Sequence, residues 1–246
     1  MGTSTRSAPG RSGPELPRAT IDRRLKPPLF LLNLKCYPAA LGPRADAIAR
    51  SLASVGREYG VSVGLVPSLP DLGRIAATHR LPILAPHCDP QPPGASTGFT
   101  IPEALVAAGA LGSLVNHSEH RLPPSRMVPT VERLRSAGLV TVLCTRDAAE
   151  SSRWARLSPP YLAVEPPDLI GGSRSVSTAR PGLIRATVEA VHRVSPTVKV
   201  LCGAGIHTRR DVTIALELGS QGILVASAVA TAPDPRAAMV ELARGF

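Results

Sequence analysis

Three polar residues stand at or just beyond the ends of short apolar runs: Lys35 after run 29–32, His117 after run 112–115, and Glu165 after run 161–164. An ammonium, an imidazole and a carboxylate together suit the movement of a proton on carbon beside a carbonyl. Glu165 takes the carbon proton, neutral His117 polarises the carbonyl and carries a proton between oxygens, and Lys35 offsets the charge of an enediolate and an anionic substrate. Taken singly, each has a plainer reading. His117 serves as a hydrogen-bonded turn residue, Lys35 as a solvated rim charge, and Glu165 as a strand-end partner of an arginine. Only elements that bring the three to one place give the set its meaning.

From Pro28 onward, apolar runs alternate with stretches of helical period. The runs cover 29–32, 61–66, 83–85, 112–115, 139–144, 161–164, 198–202 and 223–226. Between them the pattern predicts helices over 43–59, 69–78, 101–108, 123–137, 146–157, 181–194, 208–218 and 233–244. Pro43, Pro123 and Pro181 suit first-turn positions, while Gly60, Gly109, Gly138 and Gly219 read as C-terminal stops. Eight continuous apolar strands, each followed by a helix, specify a parallel α/β sheet closed into a TIM (β/α)8 barrel, near the short end of that fold's range. An open doubly wound sheet is the competitor. The first strand-to-helix turn, residues 33–42, lacks the G-x-G-x-x-G fingerprint that would favour it.

In such a barrel the strand C-termini meet at one mouth. Asn33-Leu34-Lys35, Asn116-His117-Ser118-Glu119 and Glu165 then converge with two small-residue turns, Gly203-Ala204-Gly205 and Ala226-Ser227-Ala228. Backbone N–H groups of these two turns could hold a phosphate, as loops seven and eight do in many barrels. The glycine pair by itself says little, because backbone bends there in any barrel.

Composition narrows the function classes. Of a formal charge of +10, residues 1–27 contribute six Lys or Arg against two acids, a net of +4. This segment is rich in Ser, Pro and Gly and nearly free of apolar side chains, so residues 1–27 are expected to be a disordered extension to a single domain over 28–246. Repeated Pro and Gly argue against an amphipathic transit helix there, and an apolar signal core is missing. Aromatics make up 3% of the chain, which argues against base stacking and a nucleic-acid partner. No run of 18 apolar residues occurs, so no membrane span is expected. Cys36, Cys88, Cys144 and Cys202 form no C-x-x-C pair and read as reduced, mostly buried thiols of a cytoplasmic protein.

The motifs Asn33-x-Lys35, Asn116-His117-Ser118-Glu119 with Arg121, and Glu165-Pro166-Pro167-Asp168-Leu169-Ile170-Gly171 together resemble the triosephosphate isomerase family in its compact archaeal form. The likeness runs through nearly all of residues 28–246, including His87-Cys88-Asp89-Pro90, Gly94-x-x-Thr97-Gly98 and Leu201-Cys202-Gly203-Ala204-Gly205-Ile206. The resemblance implies interconversion of glyceraldehyde 3-phosphate and dihydroxyacetone phosphate, in glycolysis and gluconeogenesis, with no cofactor and no metal. It implies His117 as electrophile, Glu165 as base, and Asn33 and Lys35 as substrate contacts. Ile170, Gly171, Gly205, Ala226 and Ser227 would line the phosphate, with Glu119 pairing Lys35 and Ser118 supporting the same motif. An imidazole kept neutral at a helix N-terminus and a loop closing over the site come with the family and not from the spacing. Pro166-Pro167 would be the stiff hinge of that lid and Leu169-Ile170-Gly171-Gly172 its tip. The family also implies a homo-oligomer, dimer or tetramer.

Departures fall on the phosphate side. Where archaeal relatives have Gly-Thr-Gly after the lid isoleucine, this chain has Gly171-Gly172-Ser173, then Arg174. His207 stands where Ser is usual, Arg209 and Arg210 replace Gly and Glu, and Ala228 replaces Gly. Two outcomes are open: added positive charge for the same phosphate, or a pocket reshaped for a four-carbon aldose or ketose phosphate. A phosphate-binding barrel without catalysis is the further alternative. A metal centre of His87, Cys88, His117 and His120 matches no ligand spacing.

Overall fold

The computed structural model describes residues 25–166 and 180–246. Eight parallel strands form one sheet: β1 (Leu29–Asn33), β2 (Ser62–Val66), β3 (Leu84–Ala85), β4 (Gly112–Val115), β5 (Val140–Thr145), β6 (Tyr161–Val164), β7 (Lys199–Cys202) and β8 (Gly222–Val225). Their order is β2-β1-β8-β7-β6-β5-β4-β3. The two ends of that order meet through a parallel bridge between Leu65 and Ile83 and a 2.9 Å bond from Leu65 N–H to the Pro82 carbonyl. This contact closes the barrel, so the expected fold is the observed one.

The strands read as unbroken apolar runs because both faces are buried. Leu29, Leu31, Leu114, Val142, Tyr161, Ala163, Leu201 and Leu224 fill the barrel interior. Their neighbours Phe30, Leu32, Val115, Leu143 and Ile223 face the helices. Gly222, at φ 145°, lies where the β8 backbone presses on Leu29 at the start of β1, leaving no room for a side chain.

Helices α1 (Pro43–Tyr59), α2 (Leu69–Thr78), α3 (Pro102–Ala107), α4 (Pro124–Ser136), α5 (Ala148–Ala155), α6 (Pro181–Val194), α7 (Arg209–Glu217), α8 (Ser227–Ala230) and α9 (Pro235–Ala243) are found among the described residues. In α1 a proline opens the helix, Ala45, Ile48, Ala49, Leu52, Val55 and Gly56 form the buried stripe, and Gly60 ends it at φ 66°. Boundaries differ from expectation where a side chain caps the helix. Asp147 accepts from Glu150 N–H, so α5 starts at Ala148 rather than at residue 146. Asp234 likewise moves α9 to Pro235, and Thr208 is the cap of α7 rather than its first residue. Pro123 is a cap too, with Pro124 in the first turn. Helix α8 was not expected: residues 226–228, read as a turn, lead into a single helical turn too short to show a period.

Residues 1–24 of the expected disordered extension lie outside the described residues. Leu25 and Lys26, expected within it, are instead tied to the barrel: the Tyr161 hydroxyl donates to the Leu25 carbonyl at 2.8 Å, and Lys26 N–H to Ser62 Oγ at 3.1 Å.

Candidate active site

The C-terminal mouth collects the residues singled out in the sequence. Asn33, 4% exposed at the end of β1, accepts the Lys35 N–H on Oδ1 at 2.9 Å. This bond folds the turn so tightly that Lys35 sits at φ 49°, a conformation that costs a non-glycine residue on the order of 1 kcal/mol or more. The strained turn points the lysine across the mouth. Its Nζ reaches Glu119 Oε1 at 2.7 Å.

Asn116 is held at φ 62° beyond β4. Its side chain braces two neighbouring elements: Nδ2 donates to the Cys144 carbonyl at 2.9 Å, and Oδ1 accepts from Leu122 N–H at 3.0 Å. Asn tolerates the left-handed region better than most residues, which suits it to the turn that delivers His117. The sequence displayed Asn116 within a motif but gave no hint of this brace.

His117 is 8% exposed. Its Nδ1 accepts the backbone N–H of Glu119 at 3.2 Å, so a lone pair sits there and the ring proton belongs on Nε2. The Glu119 carboxylate, 3.9 Å from Nδ1, is beyond hydrogen-bond reach. Nε2 lies 3.3 Å from Glu165 Oε1. The other carboxylate oxygen, Oε2, accepts Ser118 N–H at 3.3 Å. Glu165 is 3% exposed, and its own N–H is anchored to the Thr145 carbonyl at 2.7 Å. Burial first, and then the Glu165 charge, push the Cys144 thiol well above its usual range, so it remains an S–H beside the carboxylate. Ser118 Oγ is buried and finds no hydrogen-bond partner among the described residues.

The cleft above these groups is lined by Asn33, Lys35, His117 and Glu165 on one side. The turn from Gly203 to His207 and the residues from Leu224 to Ala228 line the other. Gly205, Ala226 and Ser227 therefore face the proton-transfer groups across one space. Ile170, Gly171, the lid tip, Ser173 and Arg174 lie outside the described residues. Among the described phosphate-side departures, His207 and Ala228 line the cleft, whereas Arg209 and Arg210 do not.

Beside the mouth, the rings of His87 and His120 are 4.1 Å apart, and His87 Nε2 contacts Asp89 Oδ1 at 3.0 Å. His120 is exposed as a whole residue, and the partial desolvation of its ring, then the positive charge His87 and His117 can carry, lower its pKa against the opposing pull of Asp89. Burial raises the Asp89 carboxyl, but Thr100 N–H and His87 outweigh it, so the net shift is downward.

A (β/α)8 barrel whose mouth brings an imidazole onto a buried carboxylate belongs to the class of barrels equipped for acid–base chemistry. The family model for triosephosphate isomerase matches residues 28–244. The chain is similar to the triosephosphate isomerase of Cenarchaeum symbiosum, 44% identical over 89% of this chain and 98% of that protein. It is also similar to the enzymes so named from Methanoculleus marisnigri (44% identical, 87% and 97% covered) and Methanosarcina acetivorans (42% identical, 88% and 98% covered). This chain belongs to the triosephosphate isomerase family.

Gly203 has a role that the turn alone did not suggest. A Cβ there would lie 2.7 Å from Glu165 Cγ and 3.0 Å from the Val164 carbonyl, so only glycine lets the carboxylate take its place. Gly203→Ala should displace Glu165 and lower kcat by about 10²-fold, the scale of an ångström-sized misplacement. The circular dichroism spectrum should stay that of the parent, and an undiminished kcat would refute this account.

The histidine pair gives a pH prediction. A folded pKa lowered below the unfolded value adds stability above the unfolded value, 6.5 for His120, and loses it as pH falls through the folded one. The urea midpoint should therefore drop between about pH 7 and about pH 5. His120→Asn should show a smaller drop. An equal drop in both proteins would show that His120 has no part in it.

Proposed function

We propose that the chain interconverts D-glyceraldehyde 3-phosphate and dihydroxyacetone phosphate, with Glu165 and His117 moving the protons. The observation that carries this reading is the 3.3 Å approach of His117 Nε2 to Glu165 Oε1 at the barrel mouth of a family member. With substrate between them, Glu165 takes a proton from the carbon beside the carbonyl. The Nε2–H of His117 donates to the carbonyl oxygen, giving an enediol-type intermediate, and the same ring nitrogen then accepts a proton from the neighbouring hydroxyl. Glu165 returns its proton to the adjacent carbon, so atoms and charge balance with both residues restored. Lys35, held by Glu119, lies where developing oxyanion charge needs a cation, and Asn33 fixes the turn that presents it. Gly205, Ala226 and Ser227 are assigned to the phosphate because they face this set across the cleft.

The chain is further proposed to work as a homo-oligomer in the cytoplasm. A hollow of about 660 Å³ adjoins the mouth, sharing Asn33, Lys35 and His117 with it. Leu69 and Phe99 line it while 39% and 43% exposed, an apolar surface suited to a second copy. All four cysteines are free thiols, which suits a reducing compartment, although Cys36 is exposed rather than buried. No helix among the described residues is long and apolar enough to cross a membrane.

A coupled assay with glyceraldehyde 3-phosphate tests the activity, and Glu165→Gln should reduce kcat by roughly 10²- to 10⁴-fold. An unchanged rate in that variant removes Glu165 as the base. Preferential turnover of a four-carbon aldose phosphate would reassign the substrate. For the assembly, light scattering should give at least twice the protomer mass, and Phe99→Asp should reduce it to one protomer. A monomeric parent protein would overturn the oligomer.

A further inference from the structure

A further pocket lies between the start of α4 and the exposed side of α5. It encloses about 300 Å³, at the lower bound for small-molecule sites, and shares no lining residue with the cleft or with the hollow beside it. Leu122, Pro124, Met127 and Trp154 give it an apolar lining.

The charges around this lining do not cancel. Glu150 Oε2 accepts Arg146 N–H at 2.8 Å and lies 3.5 Å from Arg121 Nη1. Asp147 caps α5 through Oδ1, and its Oδ2 is 3.7 Å from Arg146 Nε. Two carboxylates are thus matched by two guanidinium groups. Arg153 is a third, and among the described residues it has no carboxylate partner and makes no hydrogen bond. Its Cζ stands 4.7 Å from the ring centroid of Trp154, which is 8% exposed. Stacking of this kind holds the planar cation against the largest apolar side chain of the pocket and leaves its N–H groups for a ligand.

We infer that this pocket binds a small organic carboxylate, with its head on the Arg153 guanidinium and its apolar body against Trp154, Met127 and Leu122. One unmatched positive charge fits a monoanion, and the guanidinium fork matches the two oxygens of a carboxylate. The inference stands apart from the isomerase reading, since neither His117 nor Glu165 lines the pocket. Asn116 does line it, and its Oδ1 holds the N–H of Leu122, another lining residue, at 3.0 Å. A ligand here therefore rests against the brace of the His117 turn without entering the cleft.

Trp154 is the single tryptophan of the chain, so tryptophan fluorescence reports on this pocket. The test titrates the full chain with cyclohexanecarboxylate, with the neutral cyclohexanecarboxamide and with inorganic phosphate. The carboxylate should change the emission saturably, and the amide should bind about tenfold more weakly, the scale of one hydrogen bond to a charged group. Arg153→Gln should weaken the carboxylate by a similar factor and leave the amide unmoved. Arg153→Lys keeps the charge without the fork and should fall between. Inorganic phosphate, which has no apolar body, should leave the emission unchanged. A response that does not saturate, or equal carboxylate affinity in the parent and Arg153→Gln, would overturn the inference, as would phosphate binding as well as the carboxylate. A fall in protomer number on light scattering of Arg153→Gln would make the pocket a contact between copies and overturn it too.

Discussion

The structure depends on keeping a carboxylate, Glu165, almost wholly out of water at the end of β6. Removing a charge of that kind from water costs several kcal/mol unless donors and fixed dipoles replace the solvent. Here Ser118 N–H donates to one oxygen, and the dipole of the His117 imidazole stands 3.3 Å from the other. Both groups belong to the β4 turn, two strands away. A closed barrel with short loops is what brings that turn over the end of β6, and Gly203 on β7's far end supplies the empty space in which the carboxylate sits. The ends of three strands, β4, β6 and β7, are therefore needed to accommodate one side chain.

The same arrangement fixes the chemistry available to His117. Because Glu119 N–H occupies Nδ1, the ring has a single mobile proton on Nε2, directed into the cleft. In the proposed reaction one ring nitrogen gives a proton to one oxygen and takes a proton from its neighbour, and such a fixed tautomer suits it, since no ring flip or proton relocation precedes the transfer. Glu119 has two separate tasks at once: its backbone sets the tautomer of His117, and its carboxylate holds Lys35. The exposed side chain and the enclosed backbone of one residue thus act on opposite edges of the site.

Much of this was legible in the sequence. Strands buried on both faces leave continuous apolar runs, so all eight strands could be placed before any contact was known, with the ends of β1, β5 and β8 off by one residue. Helices α1, α2 and α6, each with proline in the first turn, had their limits written in the chain. What failed to show were features that depend on a side chain folding back or on contact between distant residues. Asp147 and Asp234 look like helix interior or linker until their carboxylates are seen on N–H groups. Gly203 looks like an ordinary bend because its reason, Glu165 Cγ, lies 38 positions away in the chain. Asn116 carries no sign that it holds the β4 and β5 ends together.

The two walls of the cleft also differ in how they can vary. The wall of Asn33, Lys35, His117 and Glu165 is tied down at several points: Asn33 by the Lys35 turn, Lys35 by Glu119, His117 by Glu119 N–H, Glu165 by Ser118 and Gly203. A change at any one of them displaces another, so the set stands or falls together. The facing wall, from β7 and β8, offers mainly backbone groups, which persist whatever the side chain, provided the turn keeps its shape. Thr208 and Asp211 keep that shape through the capping box, independently of what residue 207 carries. Side chains at positions 207 and 228 can therefore vary on that wall without disturbing Glu165, and contact with a ligand is the property such changes can alter while the geometry of Glu165 and His117 stays intact.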